Sequence, residues 1–228
     1  MVSSVTNNTC TSPFAAEYTS LFSILVLPVL LGIVSSLITL YLTYKLQQPK
    51  WEISLANDRY DPKFDRHYVH LKVKNVSRLF LGGGVAMNCR GIITLQDGRT
   101  FVTKWANRAG PVRIELVGDV ANVRAFYVVE PAYLDQAKNE YIFPGEEKQL
   151  DVAVRFKGES CCYIHEPENF LDPDYRPQKN RLPPGEYPFT VVLQYSGDRS
   201  PRFFFKIVNK DGNSPDLMFL EQMSRNPD

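Results

Sequence analysis

The chain has 228 residues, with 26 Lys and Arg against 25 Asp and Glu, for a net charge of +1. This near-neutral balance excludes a protein that recognises nucleic acid through a clustered basic surface. Aromatic residues make up 12% of the chain and no low-complexity run occurs, which excludes a disordered tail and predicts a packed domain.

A short N-terminal tail, residues 1–20, precedes an uncharged apolar segment, LFSILVLPVLLGIVSSLITLYLTY, at residues 21–44. About 24 residues would span roughly 36 Å as a helix, enough to cross a hydrocarbon core of about 30 Å. A signal peptide needs a basic leader and a cleavage site of small residues, and neither occurs here. A soluble core helix would carry a polar face, which this segment lacks. The segment therefore predicts one transmembrane helix that anchors the chain in the lipid bilayer of the cell membrane.

Basic residues near the ends of this segment predict its orientation, because cytoplasmic flanks carry an excess of Lys and Arg. The tail has none, whereas Lys45, Lys50, Arg59 and Lys63 follow the segment. This asymmetry predicts an N-terminus outside the cell and a cytoplasmic C-terminal domain. The alternative is an extracytoplasmic domain, because long domains can be translocated whatever their flanking charge.

Gly32 and Ser36 lie four residues apart within the apolar segment. Two small residues at this spacing let transmembrane helices approach closely, so the pair is a candidate packing site between two copies of the chain. The alternative is that small residues are simply frequent in such helices.

Four cysteines are present, Cys10 before the apolar segment and Cys89, Cys161 and Cys162 after it. Adjacent cysteines seldom pair with each other, and no disulfide framework is visible. The cysteines therefore favour a reducing compartment for the domain.

After a linker at residues 45–50, the apolar residues alternate with the period of two that is typical of strands. Asp97-Gly98 predicts a tight hairpin between two of the strands. About seven to nine short strands, with no amphipathic helix among them, indicate an all-β sandwich or barrel. The predicted strand segments are WEISLA (51–56), HYVHLKVKN (67–75), VAMNCRGIITL (85–95), FVTKW (101–105), NVRAFYVVE (122–130), QLDVAVRF (149–156), YPFTVVLQY (187–195) and RFFFKIVN (202–209).

The chain ends in a C-terminal tail at residues 211–228. Ser214-Pro215-Asp216 has a serine at an N-cap position and a proline at the first helical position. This pattern predicts a short helix that runs through Leu217 to Met223.

Two stretches carry a resemblance to immunoglobulin-like domains. LPPGEY at 182–187, followed by Thr190-Val191-Val192, resembles the turn and strand of a tyrosine corner, where a tyrosine hydroxyl donates to the preceding backbone. VHLKVKN (69–75) and AMNCRGIITL (86–95) are similar to the paired B and C strands of bacterial and archaeal immunoglobulin-like modules. The disulfide and core tryptophan of antibody domains are not evident. The resemblance implies an all-β fold, an immunoglobulin-like antiparallel β-sandwich at residues 51–210, preceded by one N-terminal transmembrane helix.

The whole chain also resembles prokaryotic membrane-anchored proteins of this layout, and this resemblance implies no activity. Within the domain, residues 157–186 (KGESCCYIHEPENFLDPDYRPQKNRLPPGE) separate two predicted strands by nearly thirty residues. Hairpin loops usually have two to five residues, and longer ones are functional or disordered. The aromatic residues and Leu171 indicate that this segment folds down on the sheet.

Cys161, Cys162 and His165 are candidate metal ligands of soft character. They lack the Cys-x-x-Cys spacing of structural zinc sites, and adjacent residues of an extended chain point to opposite faces. The alternative is one cysteine in the core and one partly exposed.

Glu166, Glu168, Asp172 and Asp174 offer hard oxygen ligands that calcium accepts, but without the order of an EF-hand loop. The alternative is a solvated acidic loop, which basic residues of the same segment partly neutralise. We therefore predict no metal and no cofactor. The neutralising residues would be Arg176, Lys179 and Arg181.

No catalytic constellation is visible in the sequence. His67 and His70 lie three apart on one strand, so they face opposite sides of the sheet and cannot form one site. The chain lacks Gly-x-Ser-x-Gly and His-Glu-x-x-His, and the Leu81–Gly84 run lacks the Lys-Ser/Thr of a phosphate loop. We therefore expect no enzymatic activity.

The leading prediction is a non-enzymatic single-pass membrane protein whose domain binds a protein partner, or forms a homo-oligomer, and holds the partner at the membrane. Exposed strand edges or residues 157–186 would provide the contact, since edge strands carry unpaired backbone groups. One alternative is an outward-facing structural component of the cell envelope or of a surface appendage. Another is a metal-binding sensor or enzyme that uses residues 157–186.

Overall fold

The computed structural model describes residues 26–62, 65–76, 84–117, 124–172 and 174–224. The N-terminal tail with Cys10, the beginning of the apolar segment and residues 81–83 of the glycine run lie outside the described residues. The chain divides into two compact units, residues 1–48 and residues 49–228.

The first unit contains the helix α1 (Leu27–Gln47). Residues Leu27–Leu46 are long and apolar enough to cross a membrane, and none of the apolar window is buried. The helix ends at Gln47 rather than at the predicted Tyr44, because Lys45, Leu46 and Gln47 are good helix formers. Pro49 disfavours helical geometry at the residue before it, and Gln48 is extended. The linker is therefore Gln48–Lys50, shorter than predicted.

The second unit contains 15 strands and one short helix in its described part. Strands are more numerous than predicted, because several short pieces pair at the margins of the sheets. In chain order the elements are β1 (Trp51–Leu55), β2 (Arg59–Asp61), β3 (Arg66–Asn75), β4 (Ala86–Leu95), β5 (Thr100–Thr103), β6 (Val112–Val117), β7 (Arg124–Val129), α2 (Pro131–Lys138), β8 (Glu140–Ile142), β9 (Glu147–Phe156), β10 (Cys162–Ile164), β11 (Arg181–Leu182), β12 (Gly185–Tyr195), β13 (Asp198–Arg199), β14 (Phe203–Asn209) and β15 (Met218–Gln222).

Two antiparallel sheets pack face to face. One has the order β1-β3-β9-β10-β11, with β2 also paired to β3, and the other has the order β15-β14-β12-β4-β5, with β13 on β12 and β8 on β4. Among the described residues, β6 and β7 pair with each other alone and form a two-stranded ribbon. The predicted all-β antiparallel sandwich behind an N-terminal apolar helix is therefore confirmed.

The core lies between the two sheets, because alternate residues of each long strand point inward. Trp105 is fully buried, so a core tryptophan is present although none was predicted. Its indole Nε1 donates to the carbonyls of Cys89 (2.9 Å) and Lys138 (3.1 Å), which satisfies the polar atom inside the core. Other fully buried core residues are Val69, Leu71, Val73, Ile93, Val191, Leu193, Phe205 and Ile207.

The predicted tyrosine corner is confirmed. The Tyr187 hydroxyl donates to the carbonyl of Pro183 at 2.8 Å. The hairpin at Asp97-Gly98 is also present, and Gly98 has a φ of +86°, a value that glycine adopts at little cost.

Three expectations about the elements were wrong. The β3 and β4 strands lie in different sheets and do not pair with each other, because β3 pairs with β9 and β4 with β12. The predicted C-terminal helix is reduced to one 3₁₀ turn, Pro215–Leu217, and β15 follows it as part of a sheet. The α2 helix was not predicted, because it buries only Ala137 and so carries no apolar stripe.

Candidate functional site

Residues 157–186, apart from the undescribed residue 173, extend the first sheet through β10 and β11 and cover its outer face with the turns between these strands. They contain β10, β11 and two 3₁₀ turns, Pro167–Leu171 and Gln178–Asn180. The Phe170 ring lies 6.0 Å from the His165 ring and 5.2 Å from the Tyr175 ring. Leu171, expected to pack downward, is 59% exposed. We call residues 157–186 the cover segment.

Two buried asparagines fix the cover segment by converging on one carbonyl. The side-chain amides of Asn169 and Asn180 both donate to the carbonyl of Ile164, at 2.9 and 3.0 Å. The Asn180 amide also donates to the Asn169 side-chain oxygen at 2.7 Å. These amides stand in for ladder hydrogen bonds where the chain has left the sheet, and so they help to hold the turns in place.

Beneath the turns of the cover segment, three titratable side chains surround one carboxylate. Asp151 Oδ1 lies 2.8 Å from His70 Nδ1, and its Oδ2 lies 3.6 Å from Lys104 Nζ and 3.7 Å from His165 Nε2. Exposed fractions are 4% for Asp151, 3% for His70, 6% for Lys104 and 6% for His165. We call these residues the Asp151 cluster.

Two backbone features bring the cluster together. One is a bulge in β9, and the other is the segment after β5, which runs beside β9. Val69 pairs with Ala153 and His70 with Asp151, so Val152 is the extra residue of β9. The backbone N–H of Asp151 donates to the Lys104 carbonyl at 2.9 Å, which holds the chain after β5 beside β9. His165 follows β10, the other neighbour of β9.

Burial and mutual charge set the protonation states within the cluster. Burial raises the pKa of the Asp151 carboxyl, but the contacts with His70, His165 and Lys104 outweigh this and hold it below the ordinary value. Burial lowers the pKa of the Lys104 amine, and Asp151 offsets only part of that effect. Burial also lowers the pKa of His165 to about 4, so its imidazole is neutral at pH 7.

The Asp151 cluster is surrounded by other groups of the protein. Lys104 Nζ donates to the Trp105 carbonyl at 2.9 Å, and the Tyr68 ring stacks on the His70 ring at 6.1 Å. Among the described residues, His70 Nε2 and His165 Nδ1 have no hydrogen-bond partner, although both atoms are shielded from solvent. Through His165 and Lys104, the cluster connects the cover segment and the segment after β5 to Asp151 of β9.

The predicted soft ligands are not gathered into one site. Cys161 and Cys162 are both buried, so the expectation of one partly exposed thiol was wrong. Cys162 lies in the core, where burial raises the pKa of its thiol to about 12. Cys161 Sγ accepts a hydrogen bond from Arg181 Nε at 3.2 Å, and His165 belongs to the Asp151 cluster.

Three of the four predicted acidic ligands, Glu166, Glu168 and Asp172, have partners of their own. Glu166 pairs with Lys179, and Glu168 pairs with Lys138 of α2. Asp172 accepts the backbone N–H groups of Asp174 (3.0 Å) and Arg176 (3.3 Å). Among the described residues, no group of three or more His, Cys, Asp or Glu side chains is placed to hold a metal ion.

His67 and His70 occupy different surroundings, as the strand alternation predicts. His67 Nδ1 lies 2.7 Å from the Pro215 carbonyl, and its Nε2 lies 3.7 Å from Asp58. His70 lies in the Asp151 cluster. Sequence reasoning found neither that cluster nor the bulge that forms it.

Gly32 and Ser36 lie one turn apart on α1. The Ser36 hydroxyl donates to the Gly32 carbonyl at 2.8 Å, so it is satisfied within its own helix. A Cβ added at Gly32 would meet no atom within 4 Å. The small surface at this pair is therefore open to a second helix.

The β6–β7 ribbon presents a pattern that the sequence analysis did not single out. Its register pairs Val112 with Val129, Ile114 with Tyr127 and Leu116 with Ala125. Alternate positions of paired strands share a face, so these six apolar residues occupy one face of the ribbon. The opposite face has Arg113, Glu115, Val117, Arg124, Phe126 and Val128.

An open groove of about 710 Å³ lies over the second sheet. Arg199 and Arg202 are the charged residues among its described lining, and this lining contains no acid–base pair. The rest of its lining is Ile92, Thr94, Leu95, Gln96, Thr100, Pro188, Phe189, Thr190, Val192 and Ser200.

Comparisons with known proteins identify no family. No family model matches the chain, and no curated protein matches it. Among solved structures, the chain is similar to a chain of the archaeal flagellum of Methanospirillum hungatei strain JF1, with 11% identity and a TM-score of 0.40, over 86% of this chain and 88% of that one. A likeness this distant carries no argument about function.

Proposed function

We propose that this protein is a non-enzymatic single-pass membrane protein whose immunoglobulin-like sandwich binds a protein partner through the β6–β7 ribbon and holds it at the membrane. The ribbon is the observation on which the proposal rests. In the described part of the chain the ribbon pairs with neither sheet, and six apolar residues share one of its faces.

A two-stranded ribbon is only marginally stable in water unless its apolar face packs against something else. An added strand or helix from a partner could cover that face, and apolar contact would then supply the affinity. The residues on the opposite face include both charge signs, which suits a face that stays in water.

The proposal places the domain in the cytoplasm. Two observations support that placement: the basic flank after the apolar segment, and the three described cysteines, which are free thiols. The proposal also leaves the Asp151 cluster a structural role, since its groups are buried among protein atoms. The outward-facing envelope or appendage component remains the alternative, and the topology of the chain separates the two.

Site-specific photocrosslinking in cells tests the proposal. Benzoylphenylalanine replaces Tyr127, on the apolar face, or Phe126, on the opposite face of the same strand, so that both variants exchange one aromatic residue for another. We expect irradiation to give one adduct of defined mass from position 127 and none from position 126.

Two results would overturn the proposal. Equal yields from the two positions, or no adduct from either, would show that the ribbon face is not a binding surface. An adduct of twice the chain mass, identified by mass spectrometry as this chain alone, would replace the partner with a homo-oligomer.

A further inference from the structure

Four large apolar side chains are exposed together where β4 begins and β8 ends. Val85, Met87, Tyr141 and Phe143 have exposed fractions of 39%, 51%, 45% and 55%. The residues between them, Ala86 and Ile142, pair with each other and are fully buried. Because strand neighbours point to opposite faces, the four side chains share the outward face. We call them the β4–β8 patch.

Hydrogen bonds place this patch at the end of the domain where the chain leaves the linker. Asn75 pairs in register with Trp51, the first residue of β1. Its buried side-chain amide donates to the carbonyls of Gly84 (3.0 Å) and Ile142 (3.2 Å), which directly precede Val85 and Phe143. The next residue, Val76, donates its N–H to the Lys50 carbonyl at 2.6 Å.

We propose that the β4–β8 patch contacts the lipid–water interface of the bilayer that holds α1, so that the domain has a second membrane contact besides its helix. Only Gln48, Pro49 and Lys50 separate the last residue of α1 from Trp51. Three extended residues reach about 10 Å. The headgroup region on each side of a bilayer is about 5–8 Å thick, so the linker keeps Trp51 within the interface or just beyond it.

The residue types of the patch suit that interface. Aromatic side chains collect at the headgroup level of membranes, and Tyr141 and Phe143 supply two. Lys50 is exposed at the same end and can reach anionic headgroups. Apolar side chains that enter the interface by about 5–10 Å contribute to binding in proportion to their buried area.

A second copy of the chain fits the patch less well. An aromatic side chain has about 150–250 Å² of surface, so four half-exposed large side chains offer on the order of 400 Å². A standard protein interface buries about 800 Å² on each partner. The patch is thus too small for a stable dimer by itself, whereas a contact helped by a covalent anchor needs no such area.

The inference uses the anchor of the proposed function but not its ribbon. Its test uses the full chain in lipid vesicles, with Cys10→Ser to remove the thiol of the tail. Single cysteines replace Met87 or Phe143 in the patch, Gln96 at the other end of β4, or Leu37 within α1. Gln96 is exposed and lies about 30 Å along the strand from Met87, and Leu37 is 61% exposed on its helix. Each is labelled with bimane, whose fluorescence is quenched by contact with brominated phosphatidylcholine.

We expect brominated lipid to quench the labels at positions 87 and 143 several-fold more than the label at 96. Equal quenching at 96, 87 and 143, with strong quenching at 37, would overturn this inference and leave the anchor intact. Weak quenching at 37 would overturn both the inference and the anchor. If quenching at 143 falls when the protein-to-lipid ratio rises, a second copy occupies the patch and the inference also fails.

Discussion

Asp151 keeps its charge in a setting where burial alone would neutralise it. The carboxylate is 4% exposed and lies within 3.7 Å of a lysine and two imidazoles. Removing one partner of a buried ion pair costs more folding free energy than replacing the whole pair by apolar residues, because the remaining charge loses its counterion. The unfavourable free energy of burying the Asp151 charge is therefore offset while its partners are present. It lowers stability only when one partner is removed.

Asp151→Asn should destabilise the protein by about 3–5 kcal/mol, because the buried Lys104 would lose its counterion. The measurement is denaturant unfolding of the detergent-solubilised chain. The control is Asp97→Asn, which breaks the Asp97–Arg99 pair at 2.7 Å on an exposed hairpin and should cost at most about 1 kcal/mol. Similar losses in both variants would mean that the Asp151 cluster is not a buried ion-pair site.

His165 should make the fold sensitive to mild acid. Its folded pKa is about 4, below the ordinary value of 6.5, so the unfolded chain binds the proton more tightly. Stability is therefore full above pH 6.5 and is lost as pH falls towards 4, by up to about 3 kcal/mol. The pKa of Asp151 is lowered from 3.8, so its own contribution is lost only below that window.

The measurement is the free energy of unfolding between pH 4 and 7. His165→Gln should flatten the dependence, because the variant has no proton to gain at this position. His67→Gln keeps His165 and should retain the slope. A slope that persists in His165→Gln would show that His165 is not the source of the acid sensitivity.

At the scale of elements, strands with uninterrupted alternation are the ones that the sequence predicts correctly. The β3, β9, β12 and β14 strands were predicted from their period of two, and the tyrosine corner from LPPGEY. The Asp151 cluster could not be predicted in this way, because His70 and Asp151 meet only through a register shift that leaves Val152 unpaired. A bulge leaves no fixed mark in the hydrophobic pattern.

The elements that were not predicted depend on tertiary contacts. Met218 and Leu220 alternate with polar or half-buried residues and pair with β14, so the sheet edge outweighed the helical capping pattern at Ser214. The length of the cover segment was predicted, but its turns depend on the side-chain amides of Asn169 and Asn180, which both reach the Ile164 carbonyl, five and 16 residues earlier. Local propensity does not encode such contacts.

On α1, the open surface at Gly32 predicts helix–helix contact. Gly32→Leu should lower the yield of crosslinked dimer in membranes, because a large side chain would keep two backbones apart. Leucine has the higher helix propensity, so α1 itself would not be weakened. The control is Val34→Leu, two residues along and on another side of the helix. An unchanged dimer yield in Gly32→Leu would remove the Gly32–Ser36 packing site.

Topology is a property of the whole molecule, and the native thiols of the domain cannot report it. Cys161 and Cys162 are 6% and 0% exposed, so a reagent outside a folded domain would not reach them wherever the domain lies. Asn213 is exposed and lies before the last strand. A cysteine introduced there is accessible in the folded state. Its reactivity with an impermeant reagent therefore depends on the side of the membrane on which the domain lies.

In a Cys10→Ser background, Asn213→Cys should resist a membrane-impermeant maleimide in intact cells and react fully once the cells are permeabilised. The unmodified chain provides the reciprocal control, since Cys10 lies on the other side of α1 in the sequence and should react in intact cells. This outcome follows from the basic flank at Lys45 and Lys50, which favours a cytoplasmic domain. Reaction of Asn213→Cys in intact cells would place the sandwich outside. The ribbon would then face other components of the cell surface, and the envelope or appendage alternative would replace the cytoplasmic partner.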